Sequence, residues 1–365
     1  MEMSDEGRRL IMRSSDVAAC FAAIGKVPPP LSLFAGLAAA PAEPSAFLLA
    51  KNGKLAPLVQ AIFDVLANTS QVIRLANLTQ DSALAIETAF LSAGEDGPYV
   101  MLARREDDVW DMAHIGKRDG LLAALDMLLG LSALDPMEEA GEAFAIDLDL
   151  PALAVLAALS DLVSRDQAKA LLERRAANLS LLSTPLPLAH IREAIIAEQA
   201  QGDIRSVLSR LSLLSGGALL ADDAAEIARA GLIAMRTAKL LDDDDVPLQA
   251  ALGLIAILQQ SDPITGMTRL ARGEGEVRAD ALALLHTSGQ TLLGLWHLDE
   301  KAQPSAFRIV AAKPDKVLSA LDAFCAGETA QARSAAPAAK FCAQCGTALS
   351  SGQKFCKQCG AKLGA

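Results

Sequence analysis

A ten-residue segment occurs twice in this chain, and its two copies lie in matching surroundings. Residues 117–126 read KRDGLLAALD and residues 313–322 read KPDKVLSALD, with identity at six of ten positions. Each copy follows a region with a strand-and-turn pattern. Each also precedes a glycine, Gly130 or Gly327, that can end a helix in the left-handed conformation. The repeat therefore predicts a chain built from two structurally related halves.

Four strands are predicted in each half, separated by turns that contain Gly, Pro, Asp and Glu. The predicted strands of the first half are residues 71–79, 83–92, 99–104 and 109–115. Those of the second half are residues 267–272, 277–286, 291–298 and 306–311. Because short turns join consecutive strands, each set is expected to form an antiparallel meander closed by the repeated helix. A helix opened by Pro57 or by Pro247 precedes each meander.

The second half contains additional helical patterns. These are predicted at residues 151–162, 165–176, 188–199, 204–214 and 224–241. Together the patterns predict an α+β fold with two pseudo-symmetric halves, each with helices, a four-strand antiparallel meander and a closing helix. The predicted divisions are a first half at 1–145, a second half at 146–326, a flexible linker at 327–339 and a small C-terminal tail at 340–365.

The duplicated meander, the closing helix with the pattern Leu-x-Ala-Leu-Asp and the segment AIDLDLP at residues 145–151 resemble the EspG-type chaperones of type VII secretion. Members of that family pair two α+β halves and bind the helical tips of secreted substrate dimers. The likeness covers most of residues 10–326. It implies a chaperone-like role in which the body of the protein binds a protein partner. The C-terminal tail is not part of that family's pattern.

The motif KFCxQCGxxL occurs twice in the tail and provides two Cys-x2-Cys pairs. The four cysteines are Cys342, Cys345, Cys356 and Cys359. This spacing is typical of a four-thiolate zinc site, although two disulfides or free thiols would also fit the pairs. Because soft thiolates suit tetrahedral zinc, and because a closed four-Cys site leaves no position for water, we expect a structural zinc ion. The tail resembles the short zinc-ribbon domains at the ends of many bacterial and archaeal proteins.

Charge is distributed unevenly along the chain. The net charge of the whole chain is −11. The region beyond residue 330 has five basic residues and no acidic residue, so the rest of the chain carries a net charge of −16. The basic residues of this region are Arg333, Lys340, Lys354, Lys357 and Lys362. An acidic body is a poor partner for nucleic acid, so an alternative function as a regulator that contacts nucleic acid would depend on the basic ribbon.

No membrane span and no secretion signal are expected, since no run of 18 apolar residues occurs and the N-terminus lacks the signal-peptide pattern. We therefore predict a cytoplasmic protein. Cys20 and Cys325 lie in helical patterns and are expected to be buried thiols. Trp110 and Trp296 lie one in each meander and are expected to pack in the core or at its rim.

Catalytic motifs are missing from the sequence. It contains no phosphate-binding loop, dinucleotide fingerprint or nucleophile elbow. The four histidines, His114, His190, His286 and His297, are scattered and are expected to be structural. His286 and His297 lie on adjacent predicted strands, so the fold could still bring these two together.

Two acidic clusters are also interpreted as structural. Asp147 and Asp149 alternate with apolar residues, which predicts a solvent-facing edge strand that links the halves, although an acid/base pair would have the same spacing. Residues 242–245 are four consecutive aspartates and lack the spacing of a calcium loop. They are expected to form a solvated turn whose last members cap the helix that begins near Pro247.

These observations predict a protein that is not an enzyme. Its duplicated α+β body would be the main surface for a protein partner, as an adaptor or in a chaperone-like role. The zinc ribbon, on a flexible tether, would be an accessory contact. The sequence does not predict whether the chain forms oligomers.

Overall fold

The structure is a computed structural model of the whole chain. It describes residues 9–35, 44, 48–79, 86–94, 97–106, 108–131, 145–203, 205–272, 277–287, 291–299, 303–311, 314–328, 340–341 and 348–349. Helices and a ten-stranded antiparallel sheet make up the body, so the predicted α+β fold class is confirmed. We use "first half" for the described residues up to 131 and "second half" for those from 145 to 328.

The first half contains five strands and three helices. The strands are β1 (Arg9–Arg13), β2 (Gln71–Leu78), β3 (Ile86–Ser92), β4 (Tyr99–Glu106) and β5 (Val109–Gly116). The helices are α1 (Ser14–Ala23), α2 (Pro57–Ala67) and α3 (Arg118–Leu129). Strand β1 was not predicted, because only three apolar residues lie between Arg9 and Arg13 in a charged N-terminal region.

The second half repeats this order with added helices. Its strands are β6 (Ala145–Asp149), β7 (Ile264–Arg272), β8 (Val277–His286), β9 (Thr291–Leu298) and β10 (Pro304–Ala311). Its helices are α4 (Leu150–Leu172), α5 (Leu188–Gln201), α6 (Val207–Leu214), α7 (Ala224–Thr237), α8 (Gln249–Gln260) and α9 (Pro314–Cys325). Short 3-10 helices span Leu179–Leu182 and Ala218–Leu220.

The two halves share one sheet. The strand order is β1-β5-β4-β3-β2-β7-β8-β9-β10-β6, so the halves meet at the antiparallel pair of β2 and β7. In that pair Arg74 lies opposite Thr268 and Leu75 lies opposite Met267. Each half therefore places its first strand at an outer edge of the sheet and the first strand of its meander at the centre. This arrangement has the pseudo-two-fold symmetry that the repeat predicts.

Helices cover both faces of the sheet. On one face, α1 and α2 pack on the first half, and α4 to α8 pack on the second, each around its own apolar core. On the other face, α3 and α9 lie over the middle of the sheet and share a third core, which includes Ile73 and Phe90 from the first half and Met267 and Leu284 from the second. Arg118 at the start of α3 donates to the carboxylate and the backbone carbonyl of Asp322 in α9. Burial of apolar surface therefore joins the halves on this face.

Glycines end both repeated helices, as predicted. Gly130 follows α3 with φ of 64°, and Gly327 follows α9 with φ of 72°. A Cβ atom at Gly327 would also lie 2.4 Å from a guanidinium nitrogen of Arg269, which is buried and pairs with Asp280 at 3.0 Å. Glycine at this position therefore satisfies both the left-handed backbone and the close approach of Arg269.

Several predicted helix bounds are wrong for local reasons. The predicted break between residues 162 and 165 does not occur, because Val163 is buried and α4 continues through it. The helix predicted at 224–241 ends at Thr237, since Lys239 has φ of 57°. The helix expected to open at Pro247 begins instead at Gln249, because Leu248 is extended.

No helix in the described part of the chain is long and apolar enough to cross a membrane.

Candidate functional site

The predicted zinc ligands Cys342, Cys345, Cys356 and Cys359 lie outside the described residues. Two short strands around the first pair are described. β11 (Lys340–Phe341) pairs antiparallel with β12 (Ala348–Leu349), with Phe341 opposite Ala348. This pairing brings together the two ends of the segment that contains Cys342 and Cys345. Four cysteine thiolates are a donor set that fits zinc, and they remain the proposed ligands.

The histidines are not brought together. His286 ends β8 opposite Thr291, whereas His297 lies six residues further along β9, about 20 Å away at the usual rise of a strand. His286 Nδ1 is 3.1 Å from Thr291 Oγ1, and burial lowers the His286 pKa to about 4. At neutral pH His286 is therefore uncharged and held by the neighbouring threonine. His114 lies on β5 and His190 on α5, so these two are also far apart in the fold.

The two acidic clusters lie in an edge strand and a turn, as predicted, with one correction. Asp147 and Asp149 lie on β6, an edge strand, where Asp147 is 3.7 Å from both Arg308 and His297. Asp242 Oδ1 accepts from the backbone N–H groups of Asp244 and Val246 and closes a turn. The predicted cap on the following helix is wrong, because no side chain caps α8.

Asp245, the last residue of the aspartate turn, is paired instead with Arg236 of α7. This ion pair holds the pKa of Asp245 below its usual value. The turn is therefore tied to the helix before it and not to the helix after it.

The tryptophans and the two body cysteines pack as expected. Trp296 is buried with its ring centroid 4.4 Å from that of Phe307. Trp110 is half-buried, and its indole N–H donates to Ser14 Oγ at 3.0 Å. Cys20 and Cys325 are fully buried, and burial raises the pKa of each thiol to about 12. These thiols stay protonated and are not nucleophiles at neutral pH.

A buried polar cluster in the helical layer was not predicted. Asp161 of α4 accepts hydrogen bonds from the backbone N–H groups of Val207 and Leu208, at 2.8 and 3.1 Å, and so caps the start of α6 from a neighbouring helix. Desolvation by burial raises the Asp161 pKa to about 6, although these N–H groups oppose the rise. Beside it, Glu198 of α5 is buried, pairs with Arg165 and accepts from Ser209 Oγ at 2.7 Å.

Arg210 of α6 also belongs to this buried polar cluster. It is fully buried, and its Nη1 atom is 3.1 Å from Asp262 Oδ1. Desolvation lowers the Arg210 pKa. Since the members of the cluster bond to backbone and to one another across three helices, they hold the helical layer together. Sequence reasoning missed them because single charged residues in separate helices have no local pattern. Within the described residues, no group of three or more His, Cys, Asp or Glu side chains could hold a metal ion.

Exposed apolar side chains concentrate on the helical layer of the second half. Of the eleven large apolar side chains exposed among the described residues, seven belong to this layer and its connections. They are Leu171, Leu172, Leu188, Ile196, Leu213, Ile233 and Leu248. Leu171 and Leu172, at the end of α4, are 82% and 85% exposed. Two consecutive leucines exposed to this degree leave apolar surface in water that a bound molecule could bury.

Together, these features describe a two-half α+β body followed by a Cys-rich tail. Residues 341–363 of that tail match the zinc-ribbon domain family. No curated protein matches the sequence. Among solved structures, the chain is similar to the Mycobacterium tuberculosis type VII secretion system chaperone EspG5, solved in complex with the PE25–PPE41 dimer. The identity is 12%, the alignment covers 88% of this chain and 96% of that chain, and the TM-score is 0.41. Both resemblances drawn from the sequence are found again in these comparisons.

Proposed function

We propose that this protein is a non-enzymatic adaptor with a chaperone-like role, whose α+β body binds a protein partner. The observation that carries the proposal is the group of exposed apolar side chains on the helical layer of the second half. Burying a leucine side chain contributes about 1.5–3 kcal/mol, so a partner that covered Leu171 and Leu172 would gain affinity there. Helices α4, α5 and α7 carry five of these side chains, and a rigid layer of packed helices presents them without a prior folding step.

The zinc ribbon is proposed as an accessory contact. In this proposal Cys342, Cys345, Cys356 and Cys359 hold one structural zinc ion, and residues 327–339 tether the ribbon to the body. Two weak contacts joined by a flexible linker bind one partner more tightly than either contact alone. A cytoplasmic location fits the proposal, since reduced thiols are required for zinc.

Affinity capture with the full zinc-loaded chain tests how much the body and the ribbon each contribute to binding the partner. One variant replaces both leucines (Leu171→Ser with Leu172→Ser), and a second disrupts the ribbon (Cys356→Ser with Cys359→Ser). Val27→Ser is the matched control, because Val27 is 78% exposed but lies in the first half. We expect recovery of the partner, quantified by mass spectrometry, to fall most in the leucine variant and less in the ribbon variant. If every captured protein binds both variants as well as the unchanged chain, the proposal is wrong.

Contact with nucleic acid through the ribbon is the second candidate function. It is favoured by the five basic and no acidic residues beyond position 330. Neutralising Lys340, Lys354, Lys357 and Lys362 to Gln would then abolish binding to an oligonucleotide and flatten its salt dependence. Salt-insensitive or undetectable binding by the unchanged chain would remove this candidate.

A further inference from the structure

The two edge strands of the sheet occupy equivalent places in the two halves. β1 and β6 each pair with the last strand of their own meander, β5 or β10, and each leads directly into a helix. Met12 and Leu148 point into the helix-covered cores and are buried to the same degree, each 1% exposed. Arg13 and Asp149 are the residues immediately before α1 and α4. The two strands can therefore be compared position by position.

The two edges carry opposite charges, with Arg13 and Asp149 at the equivalent last position of each strand. Arg9 and Arg13 are exposed on β1, whereas Asp147 and Asp149 are exposed on β6. On the neighbouring strands the signs are also reversed. Asp111 of β5 lies opposite Ile11, and Arg308 of β10 lies opposite Asp147.

The outer sides of both strands are open within the part of the chain that the structure describes. Neither β1 nor β6 has a second strand neighbour there. Arg13 and Asp149 also have no ionic partner among the described residues. An open edge presents backbone N–H and C=O groups that can pair with another strand.

The signs of the charges distinguish the three ways in which two copies of the chain could pair edge to edge. A β1–β1 contact would bring arginines together, and a β6–β6 contact would bring aspartates together, and both arrangements are disfavoured. Only a β1–β6 contact places opposite charges across from each other. Charged side chains on edge strands commonly prevent aggregation, and here they prevent like edges from pairing while leaving the unlike pair attractive.

We propose that this protein self-associates head to tail, with β1 of one copy pairing antiparallel to β6 of the next. In the full five-residue register Arg9 lies opposite Asp149 and Ile11 lies opposite Asp147. Arg13 lies opposite Ala145 and is the diagonal neighbour of Asp147, within reach of its carboxylate. All four charged side chains then lie on the same face of the extended sheet, because Met12 and Leu148 both point to the other face. A contact between unlike surfaces leaves one free edge at each end, so further copies can add and the assembly does not stop at a two-fold dimer. Since the paired strands are short, the contact is weak and depends on concentration.

Sedimentation velocity of the full zinc-loaded chain tests the proposal over about three decades of concentration. We expect the average mass to rise continuously beyond that of a dimer. Arg13→Asp and Asp149→Arg should each raise the dissociation constant about tenfold or more, because each replaces an attraction with a repulsion. Matched controls reverse exposed charges elsewhere, with Arg192→Asp on α5 and Asp243→Arg in the aspartate turn. Circular dichroism and thermal midpoints establish that all four variants fold.

Mixing the two edge variants distinguishes head-to-tail pairing from other contacts. Arg13→Asp leaves β6 intact, and Asp149→Arg leaves β1 intact, so an equimolar mixture should form a one-to-one pair and grow no further. A chain that stays monomeric at the highest concentration overturns the proposal. The same holds if the edge variants associate like their controls, or if the mixture behaves as its separate components do.

Discussion

At the scale of single residues, two buried ionisable groups respond to pH in opposite directions. Burial raises the pKa of Asp161 to about 6 and lowers that of His286 to about 4. Between pH 4 and pH 6 the folded state holds a proton on Asp161 that the unfolded chain has lost, so this group reduces stability as pH rises. Over pH 4 to 6.5 the unfolded chain holds a proton on His286 that the folded state lacks, so that group reduces stability as pH falls.

Single substitutions should separate the two effects. The unfolding free energy of Asp161→Asn minus that of the unchanged chain should increase by about 3 kcal/mol as pH rises from 4 to 6.5. His286→Gln should gain about the same amount as pH falls over that range. Urea unfolding at several pH values measures both differences. A difference that is independent of pH in either variant would show that the pKa of that residue is not shifted.

Residue patterns predicted the proposed zinc ligands but neither the exposed leucines of α4 nor the cap formed by Asp161. The four cysteines are recognisable because their spacing is local, within 18 residues of sequence from Cys342 to Cys359. The exposed leucines at the end of α4 could not be recognised, since an apolar stripe on a helix does not show whether a neighbour covers it. For the same reason Asp161 was not expected to cap a helix that begins at Val207, 46 residues later.

At the scale of elements, strand bounds were predicted well where turns are marked by sequence. β8 and β9 have the predicted bounds, because turn-forming residues separate them. β7 begins three residues earlier than predicted, at Ile264, since pairing with β2 and β8 orders Thr265 and Gly266 despite their weak local signal. β1 was missed because its ladder to β5 is formed with residues about 100 positions away. Strand pairing therefore determines the start of β7 and the presence of β1, which local propensity does not predict.

Helix contacts make two glycines respond differently to the same substitution. In α7, a Cβ atom at Gly231 would lie 2.4 Å from the carbonyl oxygen of Pro151 and from Val155 Cγ2, so α4 and α7 would have to separate. Gly231→Ala should therefore destabilise the fold by about 1–3 kcal/mol. In α8, a Cβ atom at Gly253 would have no neighbouring atom within 4 Å. Gly253→Ala should therefore stabilise the fold by about 0.5–1 kcal/mol. Thermal unfolding of both variants measures the difference, and equal shifts would contradict the close contact.

At the scale of the whole molecule, the shared sheet and the core beneath α3 and α9 should make the two halves unfold together. The chain has two tryptophans, Trp110 in the first half and Trp296 in the second. Trp110→Phe and Trp296→Phe therefore each leave one tryptophan, whose fluorescence reports on a single half. In each variant we expect the urea transition followed by fluorescence to coincide with that followed by circular dichroism. A fluorescence transition that precedes the other in either variant would show that one half unfolds separately.

The proposed zinc ribbon should behave independently of the body. We expect about one zinc ion per chain by elemental analysis, lost in Cys345→Ser and retained in Cys20→Ala, whose thiol is buried in the body. Removing zinc with a chelator should leave the thermal midpoint of the body unchanged, because the proposed linker transmits no packing to it. A large shift of that midpoint would show that the ribbon contributes to the stability of the body.

The position of β2 at the centre of the sheet has a consequence for synthesis of the protein. Its partner β7 lies about 190 residues later in the chain, so at about 5–20 residues per second the ribosome needs roughly ten seconds or more to provide it. Until then the nascent first half has β2 as an open edge, with the apolar side chains of Ile73 and Leu75 uncovered by the second half. Nascent or truncated chains that end before Ile264 should therefore depend on general chaperones to remain soluble.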